Sequence, residues 1–329
     1  MTTQTDILII GAGIAGLMAA HKLQQNGRSV LVLDKSREVG GRMATRRIGP
    51  GLADHGAQFF TVRTRLFGQY VQQWQTDGIV HEWSRGWTDG SAGGLEPDGH
   101  PRYVGSTGMT AVPKFLAASL PVRLNEPVTA VTPTAAGWQT TTENGRIYTS
   151  SGLILTPPVP QSLALLQTGS TPLHPDDRAA LESIAYAPTV AGLFWVDGRV
   201  ALPSPGALQR PDHDFPFIAD NQRKGISPRA RIITIHAHPR LATVLWDAPP
   251  KKQLAVLHDG LRPFLGASTI IIEAQVHRWQ YAIPTVLYPQ RTLLAQNLPP
   301  LAFAGDAFNG PRVEGAAVSG VAAAKMVEG

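Results

Sequence analysis

The sequence of 329 residues contains no cysteine. This absence excludes disulfide bridges, thiolate metal sites, a cysteine nucleophile and a cysteinyl link to a cofactor. It is typical of a cytoplasmic protein, and we expect that location. Apolar runs of the ~20 residues that span a bilayer are also missing, and the N-terminal stretch lacks the basic region and cleavage site of a signal peptide. We therefore expect no membrane partner.

Clustered basic charge is missing as well. Lys and Arg number 29 against 24 for Asp and Glu, but the basic residues are dispersed and are not interleaved with aromatic residues. Such a distribution does not suit nucleic acid, so we expect no nucleic-acid partner. The short basic groups at Arg42, Arg46 and Arg47 suit the phosphates of a small ligand instead.

The sequence does contain a dinucleotide-binding pattern at its start. An apolar stretch, DILII, is followed by GAGIAG, a run of helix formers and a second apolar stretch that ends at Asp34. The glycines permit a tight turn and close approach of a pyrophosphate to the helix N-terminus, and Asp34 can accept hydrogen bonds from a ribose. By itself, the pattern does not distinguish NAD from FAD. The residues predicted to bind the cofactor here are Gly11, Gly13, Ile14, Ala15, Gly16 and Asp34.

The next stretch, KSREVGGRM at 35–43, favours FAD. Its paired glycines let a second loop approach a phosphate or ribose closely, and its arginine can clamp that group. A domain that binds only NAD has no need of this second element. The residues predicted to bind the cofactor here are Lys35, Gly41, Arg42 and Met43.

Three longer segments give the chain a family resemblance. They are LADHGAQFFTVR at 52–63, HRWQYA at 277–282 and GDAFNGPRVEGAAVSG at 305–320. With the two glycine motifs, they make the sequence similar to the flavin amine oxidase superfamily and, within it, to the renalases of the bacterial type. The resemblance extends over nearly the whole chain and is weaker over 160–270. It implies an FAD-dependent oxidase that converts 2- or 6-dihydro isomers of NAD(P) to NAD(P)+ by hydride transfer to flavin N5, with reoxidation by O2 to give H2O2.

The C-terminal segment is predicted to return to the FAD site, as the resemblance also implies. Leu301–Ala304 has the pattern of a buried strand, which places Asp306 at the carboxyl edge of a sheet, within reach of ribityl hydroxyls. A helix beginning near Val313 directs its positive end at the flavin. Its small residues either admit the flavin ring or serve tight packing at Gly315 and Gly320. The residues predicted to bind the cofactor here are Asp306, Arg312, Val313, Glu314 and Ala316.

Two further segments are expected to border the cofactor. DHGAQ at 54–58 is expected to pass along the flavin, because Gly56 and Ala57 permit close approach of the backbone and Gln58 can meet a ring edge. Val128 occupies a strand position at which, as the resemblance implies, backbone groups hold the adenine. With no cysteine to tether it, the FAD is expected to be bound non-covalently.

These patterns predict an α/β fold in which a Rossmann-type FAD-binding domain is interleaved with an α+β substrate domain built on a mainly antiparallel sheet. The FAD-binding domain is expected to comprise 1–65, 104–160 and 270–329, with the return to FAD beginning near Val276. The substrate domain is expected to comprise the two remaining segments, 66–103 and 161–269. The sequence leaves the oligomeric state open.

No catalytic base stands out in the sequence. Serine-triad spacing, an HExxH motif and paired carboxylates are missing, the histidines are scattered, and we predict no metal site. A dihydropyridine loses hydride without removal of a proton because aromatisation drives the step, whereas an amine must be desolvated and deprotonated. The missing base therefore suits a substrate that only donates hydride, and the resemblance to the renalases implies that this substrate is a dihydro-NAD(P) dinucleotide, with O2 as its partner. The competing interpretations are an amine oxidase, a small desaturase-type flavoenzyme and a non-catalytic redox sensor.

The candidates for the substrate pocket are basic, aromatic, amide and histidine side chains. Basic residues are expected to meet the pyrophosphate of the substrate, aromatic residues to border the nicotinamide and a histidine to bind its carboxamide. Each has a structural alternative as a solvated charge, a core aromatic or a core histidine. The candidates are His55, Gln58, Arg63, Lys224, His236, Arg278, Trp279 and Tyr281, with Arg223 as a further basic residue.

Overall fold

A computed structural model describes residues 3–90 and 96–328 of the chain. The strands are β1 (Thr3–Ile10), β2 (Val30–Leu33), β3 (Thr45–Ile48), β4 (Gly51–Asp54), β5 (Val80–Trp87), β6 (Glu96–Gly105), β7 (Val122–Arg123), β8 (Val128–Thr134), β9 (Gly137–Thr142), β10 (Ile147–Leu155), β11 (Ala185–Asp197), β12 (Ala207–Gln209), β13 (Phe217–Asp220), β14 (Arg231–His236), β15 (Ile270–Val286), β16 (Leu293–Leu294) and β17 (Leu301–Phe303). The helices are α1 (Ile14–Gln25), α2 (Arg65–Thr76), α3 (Ala111–Ala117), α4 (Val159–Thr168), α5 (Pro175–Glu182), α6 (Pro239–Leu245), α7 (Pro250–Leu261) and α8 (Val313–Val327), with a 3-10 turn at Arg262–Phe264.

The first sheet is built around parallel strands. Its order is β16-β17-β10-β1-β2-β7, and β8 and β9 extend it antiparallel from β10. Strand β1 is buried on both faces, because Ile7 and Ile9 pack with α1 and α8 while Leu8 and Ile10 pack with α4 and α5. Such double coverage explains why its sequence is continuously apolar. The predicted Rossmann-type domain is confirmed.

The second sheet is antiparallel, with the order β12-β13-β14-β11-β15. On one face, Phe194 and Ile233 pack against Leu245 of α6 and Leu257 of α7. The other face is covered by the hairpin of β3 and β4, whose Ala53 is fully buried against the sheet. The predicted antiparallel sheet of the substrate domain is confirmed, and the hairpin brings the first part of the chain onto it.

The boundaries between the two sheets differ in part from the expected ones. Strand β15 pairs with β11 along most of its length, so it belongs to the second sheet although 270–329 was expected to join the FAD-binding domain. The chain re-enters the first sheet only at β16 and β17. Conversely, Leu166 and Leu181, within 161–269, pack against the first sheet. The local sequence pattern does not reveal to which sheet these segments belong, because that depends on contacts with strands distant in the sequence. The division into two domains remains a prediction.

The segment between 66 and 103 contacts both sheets. Phe67 and Trp74 of α2 pack in the same core as α1 and α8, whereas Trp87 of β5 packs with Phe217 of the second sheet. Residues 1, 2, 91–95 and 329, which the predicted domains include, lie outside the described residues. In the part of the chain that is described, no helix is both long and apolar enough to cross a membrane.

Candidate active site

The first and last parts of the chain meet at the carboxyl edge of the first sheet. Strands β1, β10 and β17 run parallel and are followed there by Gly11, Thr156 and Gly305. The Thr156 hydroxyl lies 3.2 Å from the carbonyl oxygen of Gly11, to which it donates. The backbone N–H of Gly305 donates to Oγ of Ser319 in α8 at 2.9 Å. In open parallel sheets this edge is where ligands bind.

Helices α1 and α8 begin near this edge and pack against each other. A Cβ atom at Gly320 would lie 2.0 Å from the carbonyl oxygen of Ala15, and one at Gly315 would lie 2.1 Å from that of Gly310. Tight backbone packing, the alternative considered from the sequence, therefore accounts for both glycines of α8. Ala316 lies in the first turn of α8 and remains a predicted cofactor contact.

The first glycine motif leaves space for a ligand at one position. A Cβ atom at Gly16 would lie 1.9 Å from the carbonyl oxygen of Gly11, whereas no described atom lies within 4 Å of a Cβ atom at Gly13. Gly41 borders the same space, since its Cβ would lie 3.6 Å from the Gly13 Cα. Among the described residues, no side chain caps α1, and its first turn holds no acidic residue. Free N–H groups beside an open position fit a pyrophosphate.

Asp34 connects the two glycine motifs. Its Oδ2 accepts from the Ala12 N–H at 2.6 Å, and its Oδ1 accepts from the Ser36 N–H at 2.7 Å. Each carboxylate oxygen keeps a second lone pair that can accept from a ribose hydroxyl. Lys35 is exposed, with its ammonium 3.4 Å from the Gln161 side chain.

The ion pair of Arg42 and Asp306 joins the second glycine motif to the C-terminal segment. Its two N···O distances are 2.6 and 2.7 Å, and the guanidinium also donates to the carbonyl oxygens of Tyr281 and Ala282. Burial raises the pKa of Asp306, and the Arg42 guanidinium opposes that shift. Two hydrogen bonds between charged groups favour the ionised pair. Both residues were predicted to bind FAD, but their pairing was not foreseen.

The segment 54–58 packs against the second glycine motif. The Ala57 N–H donates to the Arg42 carbonyl at 2.8 Å, and a Cβ atom at Gly56 would lie 2.0 Å from the same oxygen. The amide of Gln58 donates to the carbonyls of Asp54 and Gly56 at 2.8 and 3.1 Å. The Gln58 amide thus fixes the shape of the segment, and only its oxygen faces a further group, Lys224, at 3.4 Å.

Lys224 and Asp54 form a fully buried ion pair, with 2.6 Å between Nζ and Oδ2. Asp54 also accepts from the Thr45 hydroxyl at 2.5 Å and from the Met109 N–H at 2.8 Å. Burial lowers the pKa of Lys224, and the Asp54 carboxylate opposes that shift. The Lys224 ammonium lies 5.1 Å from the ring centre of Trp83. The sequence-based interpretation required Lys224 to be a basic residue at an open surface. The structure instead buries it completely.

Strand β15 presents its rings to the segment 54–58. The rings of His55 and Trp279 stack at 5.3 Å, the His55 and His277 rings lie 4.4 Å apart, and the Trp279 indole N–H donates to the His55 carbonyl at 2.9 Å. His277 and Trp279, which alternate along β15, share one face. Tyr281 lies beyond a register irregularity of the strand, and its backbone carbonyl accepts from the Arg42 guanidinium at 3.1 Å. We call segment 40–44, segment 54–58 and the face of β15 that carries His277 and Trp279 the sheet interface.

Arg278 lies on the opposite face of β15. Its guanidinium donates to the carbonyl oxygen of Trp246 at 2.8 Å and lies 5.6 Å from the indole ring of that residue. The strand alternation that directs Trp279 toward the sheet interface thus directs Arg278 away from it. The two neighbours, both predicted to line the substrate pocket, thus have partners on opposite faces of β15.

The histidines at the sheet interface are weak bases. Burial lowers the pKa of His55 to about 3, with smaller contributions from His277, Arg46 and His236. Burial and the Lys224 charge lower the pKa of His236 to about 4, and burial lowers that of His277. In the described part of the chain, His55 Nδ1 and His236 Nε2 are buried without a hydrogen-bond partner. These imidazoles are neutral at pH 7.

Two other predicted residues have structural partners. The Glu314 carboxylate accepts from the N–H groups of Arg63 and Thr64 at 2.8 and 2.6 Å, which ties α8 to the start of α2. The Arg63 guanidinium lies 2.7 Å from His100 Nε2, and that of Arg223 donates to a backbone carbonyl at 2.6 Å. None of these contacts places a basic side chain at the sheet interface.

The remaining predicted cofactor residues lie at element ends, and no contact in the structure tests them. Ile14 and Ala15 are buried in the first turn of α1, and Met43 is buried in the second glycine motif. Val128 begins β8, Val313 begins α8, and Arg312 is the N-cap residue directly before that helix.

Asp54, which begins the predicted segment 54–58, and Tyr186, which borders the sheet interface, were not singled out as site residues from the sequence. The Tyr186 ring lies 5.5 Å from that of Tyr281, edge to face, and its hydroxyl accepts from the Val159 N–H at 3.3 Å. Burial and the nearby Asp306 raise the pKa of Tyr186 to about 12. Tyr186 is a single aromatic residue in a strand, so nothing in the local pattern marks it. Asp54 had one signal in the sequence, its place at the start of DHGAQ, two positions before the closely packed Gly56.

Comparison with known families agrees with this arrangement. Residues 9–74 match the NAD(P)-binding Rossmann-like domain, and residues 78–327 match the flavin containing amine oxidoreductase family. Because the second match covers most of the chain, the protein belongs to the flavin-containing amine oxidoreductase family. Membership implies FAD, and the open position at Gly13, the uncapped α1 and the carboxylate of Asp34 at the end of β2 fit that cofactor.

Individual relatives are more distant. Mouse renalase (Mus musculus) is 27% identical over 207 residues, a match that covers 60% of this chain and 60% of the renalase. A putative protoporphyrinogen oxidase from Exiguobacterium sp. 255-15 has a similar structure, with a TM-score of 0.74 at 13% identity over 100% of this chain and 99% of that one. Putrescine oxidase with bound putrescine gives 0.70 at 15% identity, covering 99% of each chain. The two structures show that the fold is shared.

Proposed function

We propose that this protein is an FAD-dependent oxidase of the 2- or 6-dihydro isomers of NAD(P). The substrate loses a hydride to become NAD(P)+, and O2 takes up the two electrons and two protons, one from the transferred hydride and one from solvent, to become H2O2. When bound, FAD supplies the hydride acceptor at N5 and the route for electrons to O2. We also propose that FAD is held non-covalently and that the reaction takes place in the cytoplasm, as the lack of cysteine favours.

The observation that carries this proposal is the pairing of the carboxylates around the sheet interface. Asp54 is neutralised by Lys224, Asp306 by Arg42, and Glu314 is held by two backbone N–H groups. In the described part of the chain, these three carboxylates leave no free partner for a substrate ammonium ion near Trp279, and the Glu273 carboxylate farther along β15 accepts from the Gln275 amide. An ammonium ion buried there without a partner would pay a large desolvation penalty, whereas a dihydronicotinamide ring carries no such charge.

The lack of a strong base supports the same substrate. The imidazoles of His55 and His236 have pKa values of about 3 and 4, so they bind a proton weakly at pH 7. Removal of a proton from an amine would therefore be poorly assisted at this interface. A dihydronicotinamide needs orientation rather than a base, and the half-buried faces of Trp279 and Tyr281 offer flat surfaces that can hold a planar ring.

Anaerobic mixing tests this function. The flavin absorbance of the purified protein should bleach when 2- or 6-dihydro-NAD(P) is added, and admission of O2 should restore it with formation of one H2O2 per substrate. Ordinary NADH and polyamines should leave the absorbance unchanged. Rapid bleaching by an amine, without bleaching by the dihydro isomers, would favour amine oxidation instead, the reaction class named in the family description.

A further inference from the structure

The hairpin of β3 and β4 directs two neighbouring arginines to opposite sides. Arg46 is the cross-strand partner of Ala53, and cross-strand partners share a face of a hairpin. Ile48 lies two positions after Arg46 on β3 and therefore on the same face. Ile48 and Ala53 are buried together with Leu193 of the second sheet. The face that carries Arg46 is therefore the one that lies on the second sheet. Arg47 projects from the other face.

Arg46 projects toward the ring face of β15. Strand β3 contacts β15, and Ala53, the cross-strand partner of Arg46, lies two residues before His55. In agreement with this position, the charge of Arg46 contributes to the lowered pKa of both His277 and His55. Gln275, two positions before His277 on the same face, donates to the Glu273 carboxylate at 2.8 Å. Arg46 is exposed and makes no hydrogen bond or ion pair within residues 3–90 and 96–328. An unpaired guanidinium thus lies at the end of the sheet interface.

The other basic candidates are engaged elsewhere. Lys224 is fully buried against Asp54, and Arg42 is paired with Asp306. Arg278 faces away from the interface, and its guanidinium is bound to a backbone carbonyl. Of these four basic side chains in the described part of the chain, Arg46 is therefore the one without a partner. It is the arginine that a substrate with its own pyrophosphate would meet beside the rings.

We propose that Arg46 binds a phosphate of the dinucleotide substrate, with the His277 ring as a second hydrogen-bonding group. A guanidinium matches phosphate with two parallel hydrogen bonds, and a neutral imidazole offers one N–H donor. Arg46 then selects dinucleotides over phosphate-free dihydronicotinamides, while the nicotinamide ring is bound nearer Trp279. This inference rests on the proposed oxidation of dihydro-NAD(P) and names the residue that recognises the substrate's anionic part.

The test compares Arg46→Gln with Arg47→Gln, a matched control on the opposite face of the same strand. Each variant is assayed with 2- or 6-dihydro-NAD and with the corresponding dihydro form of N-benzylnicotinamide, which lacks phosphate. For the dinucleotide, Arg46→Gln should raise KM by about 10- to 100-fold, as expected for hydrogen bonds between charged groups, and leave the limiting rate of flavin reduction within about twofold. Arg47→Gln should change neither value, and neither variant should affect the benzyl substrate.

Two additional measurements separate recognition from a loss of structure. Raising the salt concentration should increase the wild-type KM for the dinucleotide more than that of Arg46→Gln, because screening weakens a charge–phosphate contact. Arg46→Lys keeps the charge but not the two-point geometry, so its KM should fall between those of the wild type and Arg46→Gln.

An unchanged KM for the dinucleotide in Arg46→Gln, or equal increases for both substrates, would overturn the assignment of Arg46. In that case the wild type would still be reduced by dihydronicotinamides, and the proposed function would stand. If no dihydronicotinamide reduces the wild-type flavin, the proposed function fails and the role of Arg46 fails with it.

Discussion

Arg42 and Asp306, which are 264 positions apart in the sequence, form a two-point ion pair with N···O distances of 2.6 and 2.7 Å. The pair closes the carboxyl edge of the first sheet, where the N-terminal and C-terminal motifs meet. Because the guanidinium balances the carboxylate, a phosphate or a ribityl hydroxyl can bind at this edge without facing an uncompensated negative charge.

Asp306→Asn should therefore weaken FAD binding. The substitution removes the partner of Arg42 and the charged acceptor for a cofactor hydroxyl, and a loss of about tenfold to 100-fold in affinity is expected for charge-assisted hydrogen bonds. Titration of FAD into the cofactor-free protein measures this change. Asp259→Asn breaks an exposed ion pair with Arg262 and serves as the control, with unchanged affinity. Equal affinities for the wild type and Asp306→Asn would contradict the role of the pair.

The first glycine motif permits a test of binding without loss of the fold. At Gly13, an added methyl group meets no described atom within 4 Å, so Gly13→Ala should keep its melting temperature without FAD but bind FAD at least about tenfold more weakly, or roughly 1.4 kcal/mol. At Gly16, the methyl group would lie 1.9 Å from a carbonyl oxygen, so Gly16→Ala should lower the melting temperature even without FAD. A Gly13→Ala protein that binds FAD as well as the wild type would show that the pyrophosphate lies elsewhere.

Removal of one partner from the buried pair of Lys224 and Asp54 should lower the free energy of unfolding strongly. Lys224→Met leaves a fully buried carboxylate unpaired, and the expected loss is about 3–5 kcal/mol in the free energy of unfolding. Arg178→Met removes an exposed partner of Glu182 and should cost under about 1 kcal/mol. Urea denaturation at a fixed excess of FAD measures both. A small effect for Lys224→Met would mean that the carboxylate gains a proton or a water molecule at little cost.

The buried histidines should make stability fall in mild acid. Their ordinary pKa is 6.5, and in the folded protein the pKa is about 3 for His55 and about 4 for His236. Between pH 6.5 and pH 4 the unfolded chain therefore binds protons that the folded chain does not, so the free energy of unfolding decreases as the pH falls. Denaturation curves across this range should show a shallower decrease for His236→Gln than for the wild type. Identical slopes would indicate that His236 titrates normally.

Sequence patterns predicted the residues whose roles depend on local geometry. The spacing of Gly11, Gly13 and Gly16 and the position of Asp34 identified the turn, because a strand, a turn and a helix that are contiguous in sequence are also contiguous in space. The same logic placed Asp306 at the end of a buried strand. These predictions needed no knowledge of distant contacts.

Roles that depend on register or on distant partners were not predictable. Arg278 and Trp279 are neighbours in sequence, yet the pairing of β15 with β11 directs them to opposite faces. Lys224 resembled an exposed basic residue, and only the fold shows that it is buried against Asp54. The contact between the rings of Tyr186 and Tyr281 likewise depends on where β11 lies.

The position of β17 and α8 also bears on how the protein forms during synthesis. Strand β17 is inserted between β10 and β16, and α8 packs directly on α1, the first helix of the chain. Most of the polypeptide must therefore leave the ribosome before the earliest elements gain their final neighbours. Until then, the part of α1 that α8 covers stays exposed in the nascent chain, where a chaperone can bind it.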